Sequence, residues 1–325
     1  MASVATIPAA HKKPARSLVR AQRWPERVAE TAVKVVSLAS IAAVFLILVF
    51  VGKEALPVFT SPELRHELSP LALVIPQGHA GFAWQPISEV PKYNIVPLFL
   101  GTLKVTVVSL LVAGPLSIAA AVFVSEIANR KVREYIKPTI ELLAGIPSVV
   151  VGFFALIVLA TWVQTVFGTE HRLNTLVAGF GLSFAICPVI FSVSEDALRA
   201  VPDSYKQAAL AMGSTRAQVL LRVVLPVATP GIMAALVLGF GRAIGETMIV
   251  VMATGNAAML DLNLGHSTRT VTATIAQELG EVVVGSAHYH ILFLLGALLF
   301  LSTLGVNVVG ERIVHRMRKR LGVGS

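Results

Sequence analysis

Arg242 and Glu246 stand four residues apart in Gly239-Phe240-Gly241-Arg242-Ala243-Ile244-Gly245-Glu246-Thr247-Met248, within a long apolar stretch. An unbroken helix puts both on one face, within reach of an ion pair. Counted from Gly231 at 1.5 Å per residue, Arg242 lies about 17 Å along such a helix, near the middle of a bilayer. A guanidinium at that depth costs between about 2.5 and 17 kcal/mol against lipid, so it must face protein or water. Buried ion pairs rarely stabilise more than apolar packing does, and ionisable groups within a membrane mark transport paths. The planar guanidinium donates two parallel hydrogen bonds to an oxyanion such as phosphate. A carboxylate beside it tolerates an oxyanion that still carries a proton, and gates the guanidinium by competing for it. Arg242, Glu246 and Thr247 are therefore candidate pathway or gate residues; the alternative is a self-neutralising pair that locks helix packing. Gly239, Gly241 and Gly245 keep the neighbourhood narrow, so another helix or a solute can approach closely.

These residues need a membrane around them, and the composition supplies one. Of 325 residues, 55% are hydrophobic and 14% charged, with the apolar residues in continuous runs rather than at amphipathic spacing, which excludes a soluble globular fold. Six runs have the length to cross hydrocarbon, at 35–52, 98–124, 139–167, 175–195, 231–254 and 289–310. Twenty of the 27 Lys and Arg fall in 1–34, 125–138, 196–230 and 311–325, and only five in 53–97, 168–174 and 255–288. This asymmetry places both termini in the cytoplasm, and it accounts for the net charge of +9 without nucleic acid. The first run is too long for a signal-peptide core and lacks a small-residue cleavage pattern, so it stays as the first span. The single Cys187 forms no intramolecular disulfide and reads as a small core residue.

The fold class is thus all-α integral membrane. A basic cytoplasmic tail (1–34) suited to anionic lipid precedes the first span (35–52). An external segment (53–97) follows, with seven prolines that rule out one continuous helix; it is a passive connection or a docking element. Five further spans occupy 98–310, and a second basic tail closes the chain (311–325).

Between the fourth and fifth spans, residues 196–230 form more than a turn. Helix formers after Pro202, the interrupting Gly213 and the apolar Val223-Val224-Leu225 before Pro226 indicate a short helix, a glycine break and a second piece leading into the membrane. Gln207-Ala208-Ala209, Gly213, Val223, Leu225 and Pro226 stand at the spacing of the EAA loop, and so resemble that motif of bacterial ABC importer permeases. Small Ala208 and Ala209 let such a helix seat in a cleft of a partner, and Gly213 permits the turn that follows. Gln207 departs from the family's usual Glu, which replaces any ion pair there by a neutral hydrogen bond. The wider set Tyr93-Asn94-Ile95-Val96-Pro97, Gly101-Thr102, Glu141 to Val150, Gly241 to Met248 and Gly255-Asn256 resembles the PstC family, one of the two permease types of the phosphate-specific importer.

That resemblance implies a type I ABC importer permease core working with a second, PstA-like permease, two ATPase subunits and an extracytoplasmic phosphate-binding protein in the inner membrane. It implies ATP and Mg on the ATPase subunits and no cofactor on this chain. Consistently, the sequence holds no G-x-x-x-x-G-K-[ST] loop. The EAA-like residues would be the ATPase-coupling loop. A molybdate or sulfate importer is the nearest alternative, and a proton-coupled secondary transporter a more distant one.

Neither H-E-x-x-H nor G-x-S-x-G occurs, so nothing pairs a nucleophile with a base and the chain reads as a non-enzyme. His288 and His290 are two apart, hence on nearly opposite sides of a helix, and read as interfacial histidines rather than metal ligands. Lys104, two turns into the second span, is expected to snorkel to the outer interface, with attraction of an anion at the mouth as the alternative. Pro147 and Pro188 are expected to interrupt helices and to serve as bending points.

Overall fold

The computed structural model describes residues 23–62, 70–76 and 81–321. They divide into two units between Phe50 and Val51. Lys12, Lys13, Arg16 and Arg20 of the expected N-terminal tail lie outside the described residues. The first long helix is described over Arg23–Ala55, so residues 23–34 are helix rather than tail.

Six described helical segments are long and apolar enough to cross a membrane: Arg27–Thr60, Val96–Ile127, Ser148–Phe167, Thr175–Arg199, Arg216–Ile244 and Ala287–Lys319. The number agrees with the sequence reading, but the bounds of the third, fifth and sixth helices do not. The third span starts at Ser148 rather than 139. Gly145-Ile146-Pro147 ends a separate amphipathic helix, Arg130–Leu143, whose first turn is capped by Asn129 accepting from Val132 N. Pro147 therefore precedes the span instead of interrupting it, while Pro188 lies inside the continuous fourth helix. The fifth span begins at Arg216 and stops at Ile244, not 231–254. The sixth helix continues to Leu321, so the expected C-terminal tail is helical as far as it is described.

Proline explains the local form of the fifth span. Residues 220–224 adopt a π turn, with Leu225 N bonded to Leu220 O five residues back. Pro226 follows at once, where the wider turn relieves the clash with the carbonyl four residues earlier, so the helix passes through Pro226 and Pro230 without ending.

The fourth span is the most buried of the six. Leu182, Ile186 and Ile190 are fully enclosed with Val105 of the second span and Ile249 beyond the fifth. Close approach sets this packing. A Cβ on Gly179 would fall 2.3 Å from Val108 Cγ1, so any larger residue pushes the second and fourth helices apart. Cys187 is half-buried there, its carbonyl oxygen receiving the Ser117 hydroxyl at 3.0 Å. Within 53–97 the described pieces are short, as the prolines require: a helical turn Pro57–Thr60, a 3₁₀ turn Pro70–Leu73 and an antiparallel pair in which Trp84 faces Tyr93 and Gln85 faces Lys92.

At the end of the bundle where residues 196–230 lie, the helix Arg130–Leu143 is fastened to the fourth span by charge. The Glu195 side chain is wholly buried, with Lys137 Nζ at 2.7 Å and Arg199 Nη1 at 3.4 Å. The hydrogen bond to Glu195, helped by the charges of Glu195, Asp196 and Glu141, holds the Lys137 ammonium above its ordinary range against the opposing effect of burial. A raised pKa contributes stability that is complete below the unfolded value and lost as pH rises through the folded one. The Lys137 contribution is thus constant through neutral pH and lost only in alkali. Lys137→Met is expected to destabilise the purified protein by about 2–3 kcal/mol, somewhat under the usual cost of breaking a buried pair because Arg199 remains. Lys137→Met with Glu195→Leu should recover most of that loss; a double variant no more stable than the single one in thermal unfolding refutes the pairing.

Candidate functional site

The fifth helix ends at Ile244, with Gly245 as its C-cap, and a new helix starts at Met248 and runs to Ala253. Glu246 organises the break. Its Oε1 accepts from Thr247 N at 3.1 Å and Met248 N at 3.2 Å, and its backbone oxygen receives the Thr272 hydroxyl at 2.8 Å. The carboxylate thereby satisfies N–H groups that a helix start leaves unpaired, where negative charge is also favoured. The expected ion pair with Arg242 is accordingly not formed, because helical register ends between the two residues. Arg242 is exposed in the last turn and has no hydrogen-bonding or ion-pairing partner among the described residues. Thr247 is half-buried, its hydroxyl 3.4 Å from the Gly245 oxygen.

The three glycines divide by role. A Cβ on Gly239 would meet Ile190 of the fourth span at 2.7 Å, and one on Gly241 would meet Asn307 Oδ1 of the sixth at 3.3 Å, so both sit where helices approach. Gly245 meets nothing closer than 3.8 Å and belongs to the helix end instead. The fifth helix thus presses against the fourth and sixth while turning Arg242 outward. Since an apolar span cannot offer a bare guanidinium to lipid, this face meets water or another subunit.

Residues 196–230 have the expected plan. A helix Asp203–Ala211 is followed by Gly213 at φ +82°, a left-handed turn that favours glycine. Thr215 and Gln218 then form a reciprocal capping box that starts the fifth span. Gln207 and Ala208 are exposed, whereas Ala209, Val223 and Leu225 pack against Leu198, Val219 and Val224. Ala208 is therefore available to a partner, while Ala209 faces inward, a division the motif alone did not reveal. Pro226 is exposed. Lys206, beside Gln207, reaches Glu126 at the end of the second span with Nζ 2.8 Å from Oε1.

At the opposite end, Lys104 is buried, and its ammonium donates to the Asp261 carbonyl at 2.7 Å and to the Asn263 carbonyl at 3.4 Å. It reaches a loop rather than open interface. His288 and His290 have separate partners: His288 Nε2 is 2.8 Å from Glu278 Oε2, and His290 Nδ1 donates to the Glu54 carbonyl at 2.7 Å. The fold supplies the carboxylate that the local sequence lacks. Glu278 also pairs with Arg269 at 2.8 Å and accepts from Trp84 Nε1 at 3.0 Å, tying the strand pair to the sixth span.

A second grouping on this side was missed altogether. Glu170 and His171 meet His266, which hydrogen-bonds Asp261 through Nδ1. The backbone N–H of Asn263, then His266, holds the Asp261 carboxyl below its usual range. Ninety-five residues separate His171 from His266, so no local spacing could have signalled it.

A broken fifth helix, a loop helix ending at a left-handed glycine between the fourth and fifth spans, and a tightly packed fourth span define an importer-type permease. The same fold occurs in a crystal structure of a bacterial ABC transporter involved in the import of the acidic polysaccharide alginate, at a TM-score of 0.59 and 16% identity over 91% of this chain and 99% of that one. The chain belongs to the family described as binding-protein-dependent transport system inner membrane component, whose model matches residues 113–321, and it is a multi-pass inner-membrane protein. Among curated relatives, the probable ABC transporter permease protein YqgH of Bacillus subtilis is 36% identical over 82% of this chain and 84% of its own. The phosphate transport system permease protein PstC of Mesorhizobium japonicum is 31% identical over 86% and 89%, and that of Xylella fastidiosa (strain Temecula1) 33% identical over 74% and 78%.

The Lys206–Glu126 pair joins the loop helix to the second span, so its loss should weaken transport before it weakens the fold. Lys206→Glu is expected to lower solute uptake several-fold at normal membrane abundance, and Lys206→Glu with Glu126→Lys to restore a substantial part. Equal uptake in all three proteins would show that the pair carries no force.

Proposed function

We propose that this chain is one permease subunit of an ATP-driven importer whose solute is inorganic phosphate, and that Arg242 lines its path. The carrying observation is the guanidinium at the break of the fifth helix, without a partner among the described residues and beside packed neighbours that leave it facing outward. The phosphate transport permeases among the relatives support the choice of solute. In this reading residues 98–310 form half of the translocation path, and a second, PstA-like permease forms the other half against the Arg242 face.

The charge asymmetry supports a cytoplasmic location for both termini and for residues 196–230, which leaves 53–97 outside. Two ATPase subunits then bind the loop through Gln207, Ala208 and the turn at Gly213, and a binding protein delivers phosphate from outside. ATP and Mg act on the ATPase subunits, and this chain holds no cofactor. Glu246 serves the path by fixing the helix break rather than by occupying Arg242, so an oxyanion meets a guanidinium whose hydrogen bonds are available.

In phosphate-starved cells lacking the gene, wild-type protein is expected to restore labelled-phosphate uptake that excess sulfate or molybdate does not inhibit. Arg242→Ala should lower uptake at least about tenfold, in keeping with loss of a hydrogen bond to a charged group, with Arg242→Lys intermediate. Glu246→Gln keeps an oxygen to accept from residues 247 and 248 and should remain active, whereas Glu246→Ala should not. Full uptake by Arg242→Ala removes the path assignment, and inhibition by molybdate or sulfate reassigns the solute.

A further inference from the structure

The loop between the third and fourth spans meets the loop that follows Ala253 at a cluster outside the transport path described above. One ligand atom from each of Glu170, His171 and His266 lies within 4.8 Å of the other two. Glu170 Oε2 is 3.6 Å from His266 Nε2, and the two imidazole rings stand edge to face with centroids 5.2 Å apart. Glu170 and His171 are exposed and His266 is half-buried, so the group is open to solvent yet anchored on one side.

The anchoring determines which nitrogen of His266 is free. Asp261 Oδ2 bonds His266 Nδ1, while its Oδ1 accepts from Asn263 N at 2.8 Å. A carboxylate accepts, so Nδ1 carries the proton and Nε2 presents its lone pair towards Glu170 and His171. Asn263 agrees: its Oδ1 accepts from Gly265 N at 2.9 Å, which leaves the amide nitrogen 3.1 Å from the same Nε2, placed to donate to a lone pair. A carboxylate on the far nitrogen of an imidazole whose near nitrogen faces two further donors is the arrangement that orients metal-ligating histidines and raises their basicity.

We propose that Glu170, His171 and His266 bind a divalent transition ion of the zinc class, with Asp261 as the positioning carboxylate. Two imidazoles and one carboxylate suit zinc, which takes three protein ligands and a water, and do not suit calcium or magnesium, which take oxygen sets. Bonds of about 2.0–2.2 Å draw tetrahedral ligand atoms to roughly 3.4 Å apart. The exposed Glu170 and His171 side chains supply the approach of up to roughly 1.4 Å that this needs, and Nε2 exchanges the Asn263 amide for the metal. The ion would staple the 168–174 loop to the loop whose Asp261 and Asn263 carbonyls hold Lys104.

The test is metal binding by the full chain in lipid nanodiscs, purified without a histidine tag and stripped with chelator. Zn²⁺ is titrated by calorimetry, and Co²⁺ by visible absorption for the tetrahedral signature. One saturable equivalent is expected for wild type, no such equivalent for His171→Ala with His266→Ala, and about 10–100-fold weaker binding for Asp261→Asn. His171→Ala alone alters one exposed side chain and serves where the double variant is poorly folded; it too should weaken binding and abolish the cobalt signature. Absence of stoichiometric binding, or binding unchanged in His171→Ala, overturns the proposal. The readout does not involve transport, so it stands or falls apart from the phosphate assignment.

Discussion

Every backbone N–H and C=O within an apolar slab must find a partner inside the protein, and the break in the fifth helix is where that requirement bears hardest. A helix stopped at Ile244 leaves carbonyls behind it and N–H groups ahead of it, each costing several kcal/mol if bare in hydrocarbon. Glu246 answers at both levels, its side chain accepting from residues 247 and 248 and its carbonyl receiving Thr272. The break is therefore a built feature of the chain. With the Glu246 carboxylate turned to the backbone N–H groups of the new helix, Arg242 makes no bond to it, and the guanidinium stays available in an apolar span. Irregular backbone at membrane depth is tolerated only beside protein or a water-filled cavity, which is also the only setting that tolerates Arg242.

Holding such a break in place demands a rigid surround, and the surround is made by close helix approach rather than by polar links. Gly179 admits Val108, Gly231 admits Ala197, Gly239 admits Ile190 and Gly310 admits Val237; a Cβ on Gly231 would lie 2.3 Å from that of Ala197, and one on Gly310 2.5 Å from Val237 Cγ1. Water-exclusion gives no net drive between helices in lipid, so shape and dispersion must supply it, and small residues are how that happens. Charge is used at the two ends, where Lys137 with Glu195 and Arg269 with Glu278 fasten peripheral pieces to the bundle.

The spans were legible because twenty apolar residues leave a signal that no tertiary contact overrides, and the loop helix because Gly213 and the spacing around it encode a turn. The bounds of the third, fifth and sixth spans were misplaced for one reason: hydropathy reports where apolar residues are, not where the helix stops. Leu142 and Leu143 read as membrane although they end an amphipathic surface helix. Residues 245–254 read as span although Glu246 restarts the helix there. The spacing of Arg242 and Glu246 suggested a pair because four residues mean adjacency only while the helix lasts. Glu278 with His288, and His171 with His266, were illegible in principle, since partners ten to ninety-five residues apart become neighbours only through the fold.

The continuity of the fifth helix gives the loop and Arg242 a mechanical relation that neither has alone. From Arg216 to Ile244 is 29 residues, about 43 Å of rod, beginning three residues beyond the left-handed turn at Gly213 and after the loop helix that Lys206 ties to the second span. Its compliant part is at the loop end, where the π turn and two prolines thin the hydrogen bonding. Beyond Pro230 the rod is locked to the fourth span at Gly231 and Gly239 and to the sixth near Gly310. Were the loop helix displaced, as the proposed coupling to ATPase subunits requires, the segment before Pro230 would flex and the three helices would move together, because interiors packed this tightly shift between discrete arrangements instead of deforming. Arg242, at the far end of that block and bonded to nothing within the described chain, would in that proposal be carried with it as a charge whose surroundings change.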